Sequence, residues 1–195
     1  VVTMDDEERE IADGAVYAEL RFAPLLHLRR GLAPEEVLGA VLAGCAEGGR
    51  LAGIPANVIV CAMRQNDDAA EVAALAGAYA GRGVVGFDLA GPEAGFPASR
   101  HRAACRAAVA GGLHLTLHSG EGAGVESIAD ALGCGAERLG HGVRLVDRDD
   151  RPLGHQRELR IRHDRRDLDD VIAVRIEPGH LEIVQTRLSD FGGIQ

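Results

Sequence analysis

Apolar and polar positions follow two periods along this chain, and the periods take turns. Ala15 to Phe22 alternates in the manner of a strand and stops at Pro24. After a turn at Gly31 to Pro34, the apolar residues Val37, Leu38, Val41, Leu42 and Cys45 recur at helical spacing, and Gly48-Gly49 and Gly53 are expected to end that helix. Asn57 to Met63 is an unbroken apolar run, as in a strand buried on both faces. Asp67 and Asp68 are placed to cap a following helix with Val72, Leu75, Ala76 and Tyr79 inward, closed by Gly81 and Gly83. Val84 to Ala90 reads as a third strand, Pro97 to Gly112 as an alanine-rich helix, and Leu113 to Leu117 as a fourth strand. Glu126 to Leu132 is a short helix and Arg138 to Val143 a short strand, and upstream Asp5 to Asp13 reads as an acidic helix end closed by Gly14.

Strands beginning near positions 15, 57, 84, 113 and 138, each separated from the next by a helix, imply βα units and a parallel sheet with right-handed crossovers. A doubly wound sheet and a (β/α)8 barrel both fit this rhythm. No G-x-G-x-x-G or G-x-x-x-x-G-K-[ST] follows a strand, which weakens the nucleotide-binding alternative.

The fourth strand carries the most chemistry. His114, Thr116 and His118 share one of its faces, with Leu113, Leu115 and Leu117 on the other. The strand ends at His118 and a glycine-rich turn, Ser119-Gly120-Glu121-Gly122, that holds a carboxylate. Parallel α/β folds do their chemistry at this carboxyl end. His114, one pleat deeper than His118, is expected to fill the interior, and Arg21 on an inward strand position to pair with a carboxylate.

Composition narrows the function classes. A net charge of −9 lacks the basic stripe of a nucleic-acid surface, and no apolar run of 18 residues suggests a membrane span. The acidic first ten residues carry no signal-peptide pattern, so a cytoplasmic protein is expected. Cys45, Cys61, Cys105 and Cys134 are far apart in sequence, with neither a local zinc cluster nor a disulfide framework, and are expected to be buried thiols. All 21 basic residues are arginine, which reads as codon bias, and a first residue of Val is expected of a fragment or an alternative start.

After Asp147 the texture changes. Arg148 to Asp170 is dense in Arg, Asp and His without a clear period. Val171 to Glu177 and His180 to Arg187 flank Pro178-Gly179 as a β-hairpin would, with Ile172, Val174 and Ile176 on one face. His155, His163 and His180 are read as surface residues. The chain is therefore divided at 1–147 and 148–195, and a frameshift is one source of such a divergent tail.

Five stretches in order resemble the adenosine deaminase family of zinc-dependent (β/α)8 hydrolases: Tyr17-Ala18-Glu19-Leu20-Arg21-Phe22-Ala23-Pro24, Gly86-Phe87-Asp88-Leu89-Ala90-Gly91-Pro92-Glu93, His101, His118-Ser119-Gly120-Glu121, and Arg138-Leu139-Gly140-His141-Gly142-Val143-Arg144. The resemblance covers about residues 14–147. It implies a partial TIM (β/α)8 barrel of about strands two to six, with the tail hairpin appended. It also implies hydrolytic deamination of a small-molecule purine nucleoside, adenosine to inosine with release of ammonia. By resemblance, His118 is a zinc ligand, Glu121 the acid that protonates the purine ring nitrogen, His141 the group that orients or deprotonates the attacking water, and Gly91 a backbone N–H donor to the purine. Where the family often has Gly-Asp-Glu, this chain has Pro92, which removes one N–H and leaves that of Gly91. Asp88 is expected to support the site.

The chemistry is coherent with those roles. Zinc brings bound water to a pKa of about 7. Attack on the ring calls for a carboxylic acid kept protonated by burial and an imidazole to accept the water's proton.

The resemblance also exposes what is missing. Its first-strand H-x-H, eighth-strand Asp, T-D-D-P-like and C-P-T/S-S-N-like segments are all absent, so one of four expected zinc ligands is present. Three readings follow: a truncated deaminase, a non-catalytic remnant or purine-binding module, and a related deaminase acting on adenine, AMP or a modified adenosine. The H-x-E…P-C-x-x-C signature of cytidine-type deaminases is absent. Five strands of a barrel leave two open edges, which predicts self-association unless the hairpin covers one.

Overall fold

The structure, a computed structural model, describes residues 16–146, 172–177 and 180–185. The expected helix end at 5–13, the arginine-rich segment 148–170 with His155 and His163, and the side chains of the hairpin strands, His180 included, lie outside the described residues.

Five parallel strands run in sequence order: β1 (Ala18–Phe22), β2 (Ala56–Met63), β3 (Val84–Ala90), β4 (His114–Ser119) and β5 (Arg138–His141). Between them lie α1 (Pro34–Ala52), α2 (Ala69–Ala78), α3 (Arg102–Ala110, preceded by a 3-10 turn at Ala98–His101) and α4 (Val125–Gly133). β6 (Ile172–Glu177) and β7 (His180–Gln185) form the expected antiparallel hairpin. Among the described residues no helix is long and apolar enough to cross a membrane.

The strands alternate their faces as the sequence pattern requires. Val58, Val60, Phe87, Leu89, Leu115, Leu117 and Leu139 point outward and pack beneath Leu38, Cys45, Val72, Ala76, Cys105, Ala108, Ile128 and Ala131 of the four helices. This outer layer is the main core, and burying each such side chain stabilises by about 1.5–3 kcal/mol. All four cysteines are buried thiols.

The inner face carries Glu19, Arg21, Asp88, Thr116, His118 and Arg138 beside the apolar Ile59 and Cys61 of β2, and it is curved. Arg138 Nη1 of β5 lies 2.6 Å from Glu19 Oε2 of β1, joining the first and last strands of the sheet. In a flat sheet those strands would stand about 19 Å apart, beyond the reach of two side chains rising from its surface. The sheet is therefore an open half-barrel, its two edge strands tied across the hollow by one ion pair.

Several local expectations are corrected. α1 runs through Gly48-Gly49 and ends only at Ala52, with Gly53 as its left-handed cap. The Gly49 position needs a small residue because a Cβ there would lie 2.7 Å from the Ile54 carbonyl oxygen and 3.1 Å from the Ala56 side chain. Asp68 stands at the N-cap of α2 but makes no side-chain capping bond. It accepts instead from Asn66 Nδ2 at 3.1 Å, while Asp67 pairs with Arg100. His114 is exposed at the amino end of β4 and lies 2.8 Å from Glu137, because the open half-barrel gives that position no opposite wall.

Candidate active site at the carboxyl ends of the strands

His118 ends β4 and His141 ends β5, at adjacent register positions: His118 pairs with Gly140 and Ser119 with His141. Their rings lie 4.9 Å apart, centroid to centroid. Glu121, on the turn after β4, brings its Oε2 to 3.5 Å from His141 Nε2. The three groups read from sequence thus converge at one end of the sheet. Glu121 is not buried, however; its side chain is 63% exposed, since five strands wall only part of the hollow.

His141 adopts φ +71, in the left-handed region that few residues other than glycine enter. The next residue turns the same way, and Gly142 N donates to the Ser119 carbonyl at 2.9 Å. This turn swings the His141 ring from the strand direction towards Glu121. Residues held in such sparsely populated backbone regions cluster at functional sites.

Asp88, at an inward position of β3, is fully buried and organises His118 from the side. Its Oδ1 accepts from the His118 backbone N–H at 2.9 Å, and its Oδ2 lies 2.6 Å from His118 Nδ1. The proton between them belongs on Nδ1, which leaves Nε2 as the acceptor nitrogen of the ring, with Arg21 Nη1 3.5 Å away. Burial pushes the Asp88 carboxyl up, but hydrogen bonding from His118 and the Arg21 cation outweigh it and hold the group below its usual range. Arg21 Nε lies 3.5 Å from Asp88, so the expected carboxylate partner is found. The same guanidinium places Nη1 3.2 Å from His118 Nδ1. It fits because residue 140 is glycine: a Cβ there would lie 2.7 Å from Arg21 Nη1 and 3.3 Å from the His118 Cα.

Two residues that sequence reasoning left without a role hold the frame. Arg64, just after β2, is completely buried. Its Nη2 donates to the carbonyls of His118 at 2.6 Å and Leu89 at 3.2 Å, and its Nη1 to Phe96 at 3.2 Å. His101, present in the sequence pattern without an assigned function, lies 2.8 Å through Nε2 from the Arg64 carbonyl. Burial pulls the Arg64 guanidinium below its usual pKa, partly offset by the nearby Glu93 and Asp88 charges. Glu93 is the second. Its carboxylate accepts from the backbone N–H groups of Gly120 (2.5 Å), Glu121 (3.0 Å), Gly122 (2.7 Å) and Ala123 (3.0 Å), and from Ser119 Oγ (3.3 Å). Four successive N–H groups turned to one anion form an anion-binding nest. The signal in the sequence was a carboxylate two residues past Gly91 and a glycine-rich turn elsewhere, with nothing local to join them.

Gly91 follows β3 with φ +92 and is exposed at the same end. That φ lies in the left-handed region that favours glycine, and a Cβ there would also have to displace the end of the Gln65 side chain, whose Oε1 would lie 2.3 Å away.

The sequence of residues 2–165 matches the family model of adenosine deaminase. The chain belongs to the adenosine deaminase family. It is 49% identical over 142 residues to the adenosine deaminase of Mycobacteroides abscessus and 51% identical over 142 residues to that of Mycobacterium ulcerans, in each case across 70% of this chain and 39% of the relative. The chain thus spans about two fifths of the length of the curated relatives it matches. Among solved structures it resembles an adenine deaminase from Arthrobacter aurescens (TM-score 0.67, 28% identity, 76% of this chain and 46% of the other). It also resembles a zinc-bound amidohydrolase from Burkholderia ambifaria (TM-score 0.65, 25% identity, 76% and 44%). A third is an N6-methyl-AMP deaminase from Arabidopsis (TM-score 0.57, 27% identity, 71% and 45%).

The metal expectation can be tested on the residues themselves. His118 has its Nδ1 held by a carboxylate, as metal-ligating histidines do, but the Arg21 guanidinium lies 3.5 Å from the opposite nitrogen, Nε2. Yet no group of three His, Cys, Asp or Glu that could hold a metal occurs among the described residues. Zinc takes three or four protein ligands. The described residues alone therefore do not constitute a zinc centre.

Proposed function

We propose that this chain carries the acid–base part of a hydrolytic purine deaminase site, with adenosine as the substrate that membership of the family favours. The observation that carries the reading is the convergence of Glu121, His141 and His118 at the ends of two neighbouring strands, with His141 Nε2 3.5 Å from Glu121 Oε2. In this reading Gly91 N–H donates to the purine, Glu121 delivers a proton to the ring nitrogen beside the attacked carbon, and His141 accepts the proton of the attacking water. Water is added and ammonia leaves. An acid and a base so placed contribute about 10²–10⁴-fold each. Zinc dependence is supported by the oriented His118 ring and the zinc-bound Burkholderia neighbour. The other metal ligands would have to come from outside the described residues.

The incomplete ligand set favours a second reading, a purine-binding module without turnover. Zinc content and adenosine turnover of the purified 195-residue chain separate the two. Stoichiometric zinc with turnover abolished by Glu121→Gln supports the enzyme. Absence of both metal and turnover, with adenosine still bound, supports the module. Adenine and N6-methyl-AMP, substrates named for the solved neighbours, are the comparison compounds. Self-association through the outer edge of β1 is proposed alongside, since β6 of the hairpin lies against β5, and sedimentation velocity tests it.

A further inference from the structure

We propose that Glu93 is a positioning residue that fixes the backbone of Glu121, so that one short segment, Gly91-Pro92-Glu93, sets both the purine contact and the acid. The assignment of Glu121 as the acid rests on the deaminase reading; the clamp itself rests on geometry. Glu121 is held on both sides of its backbone: its N–H by Glu93 Oε2 at 3.0 Å and its carbonyl by Arg144 Nε at 3.0 Å. Its side chain is left exposed towards His141. A carboxylate that must meet a ring nitrogen gains from this division, because the main chain is fixed while the side chain stays free to approach. Glu93 is itself buried, and Ser119 Oγ, one of its donors, lies 3.2 Å from Ser127 Oγ on α4. The clamp is thereby anchored to the helix that follows the turn. Pro92 locks one backbone angle between Gly91 and Glu93. A shift of Gly91 on purine binding is therefore passed to the turn carrying the acid, across a sequence separation of 28 between Glu93 and Glu121.

Amide hydrogen exchange on the 195-residue chain tests this directly. In Glu93→Gln, which keeps the shape and loses the charge, protection of the Gly120–Ala123 amides should fall by about tenfold or more, the equivalent of about 1.4 kcal/mol. Protection of β2 and β3 should be unchanged. Where adenosine turnover is measurable, kcat should drop by up to about 100-fold with KM nearly constant, as for a displaced catalytic group. Glu93→Asp, which keeps the charge on a shorter arm, should recover part of both. Ser127→Ala serves as a milder second variant, with a smaller loss confined to the same four amides, should Glu93→Gln fail to fold. Unchanged protection at 120–123 in folded Glu93→Gln, or in Ser127→Ala where that variant alone folds, overturns the clamp. Loss of KM rather than kcat overturns the positioning role. Absence of turnover in the unmodified chain overturns the deaminase reading and leaves the exchange data to decide the clamp.

Discussion

Arg64 Nη2 lies 2.6 Å from the carbonyl oxygen of His118, across a sequence separation of 54. The guanidinium is wholly buried and fastens the ends of β3 and β4 together through the Leu89 and His118 carbonyls. Arg64→Met fills much of the volume but leaves three carbonyls without their donor. It should destabilise the chain by about 2–5 kcal/mol, because each buried carbonyl left without a donor costs about 1–3 kcal/mol. Urea denaturation followed by circular dichroism would show it, and a loss below about 1 kcal/mol would rule out the clamp as a major support.

The pH dependence of stability should carry the mark of Glu93. Burial raises its carboxyl pKa, but the neighbouring Ser127 hydroxyl and the Gly120, Gly122 and Ala123 N–H groups prevail and hold it at about 2, below the ordinary 4.5. A carboxylate depressed by folding stabilises fully above its unfolded pKa and loses that contribution as pH falls through the folded one. The chain should therefore lose up to about 3 kcal/mol between pH 4.5 and pH 2. Glu93→Gln should flatten that part of the curve, as measured by denaturation midpoints at stepped pH. An unchanged slope in the variant would assign the acid sensitivity elsewhere.

His141 offers a separation of strain from chemistry. Asn tolerates the left-handed backbone better than most residues and cannot take up the proton that the proposed deaminase reading assigns to His141. His141→Asn should leave the thermal midpoint within a few degrees of the parent while turnover, where present, falls by about 10²–10⁴-fold. His141→Val should destabilise instead, because a β-branched residue resists φ +71. Equal melting temperatures for the two variants would argue against stored backbone strain.

Glu19 and Arg138 are suited to a double-mutant cycle. Their side chains are 17% and 28% exposed, and they span the first and last strands of the half-barrel. Glu19→Gln and Arg138→Gln should show a coupling energy on the order of 1 kcal/mol. A coupling indistinguishable from zero would mean that outer-layer packing alone holds the curvature.

Much of this protein could be read from its order of residues. The unbroken apolar run at 57–63 and the strand read at 84–90 became β2 and β3, and the helical spacing after Glu35 became α1. These patterns are local: a strand or helix shows its buried face within a few residues. The placement of His118, Glu121 and His141 was legible for the same reason, since each sits at or just past the end of a recognisable strand. The corrected points involve competition between partners. Asp68 forgoes capping for Asn66, and His114 meets Glu137 because the half-barrel is open where it stands.

What tertiary structure alone decided is who holds the site in place. Sequence can set His118 at the end of a strand, but not that Asp88, 30 positions earlier, orients its ring, or that Arg64 grips its carbonyl. Glu93 is the clearest case, a lone acid after a turn until four N–H groups some 27 to 30 residues away close around it. Hydrophobic periodicity selects the elements because burial acts on every residue along a face. Buried hydrogen bonds are made between particular atoms, and those atoms become neighbours only once parallel strands have brought their carboxyl ends together.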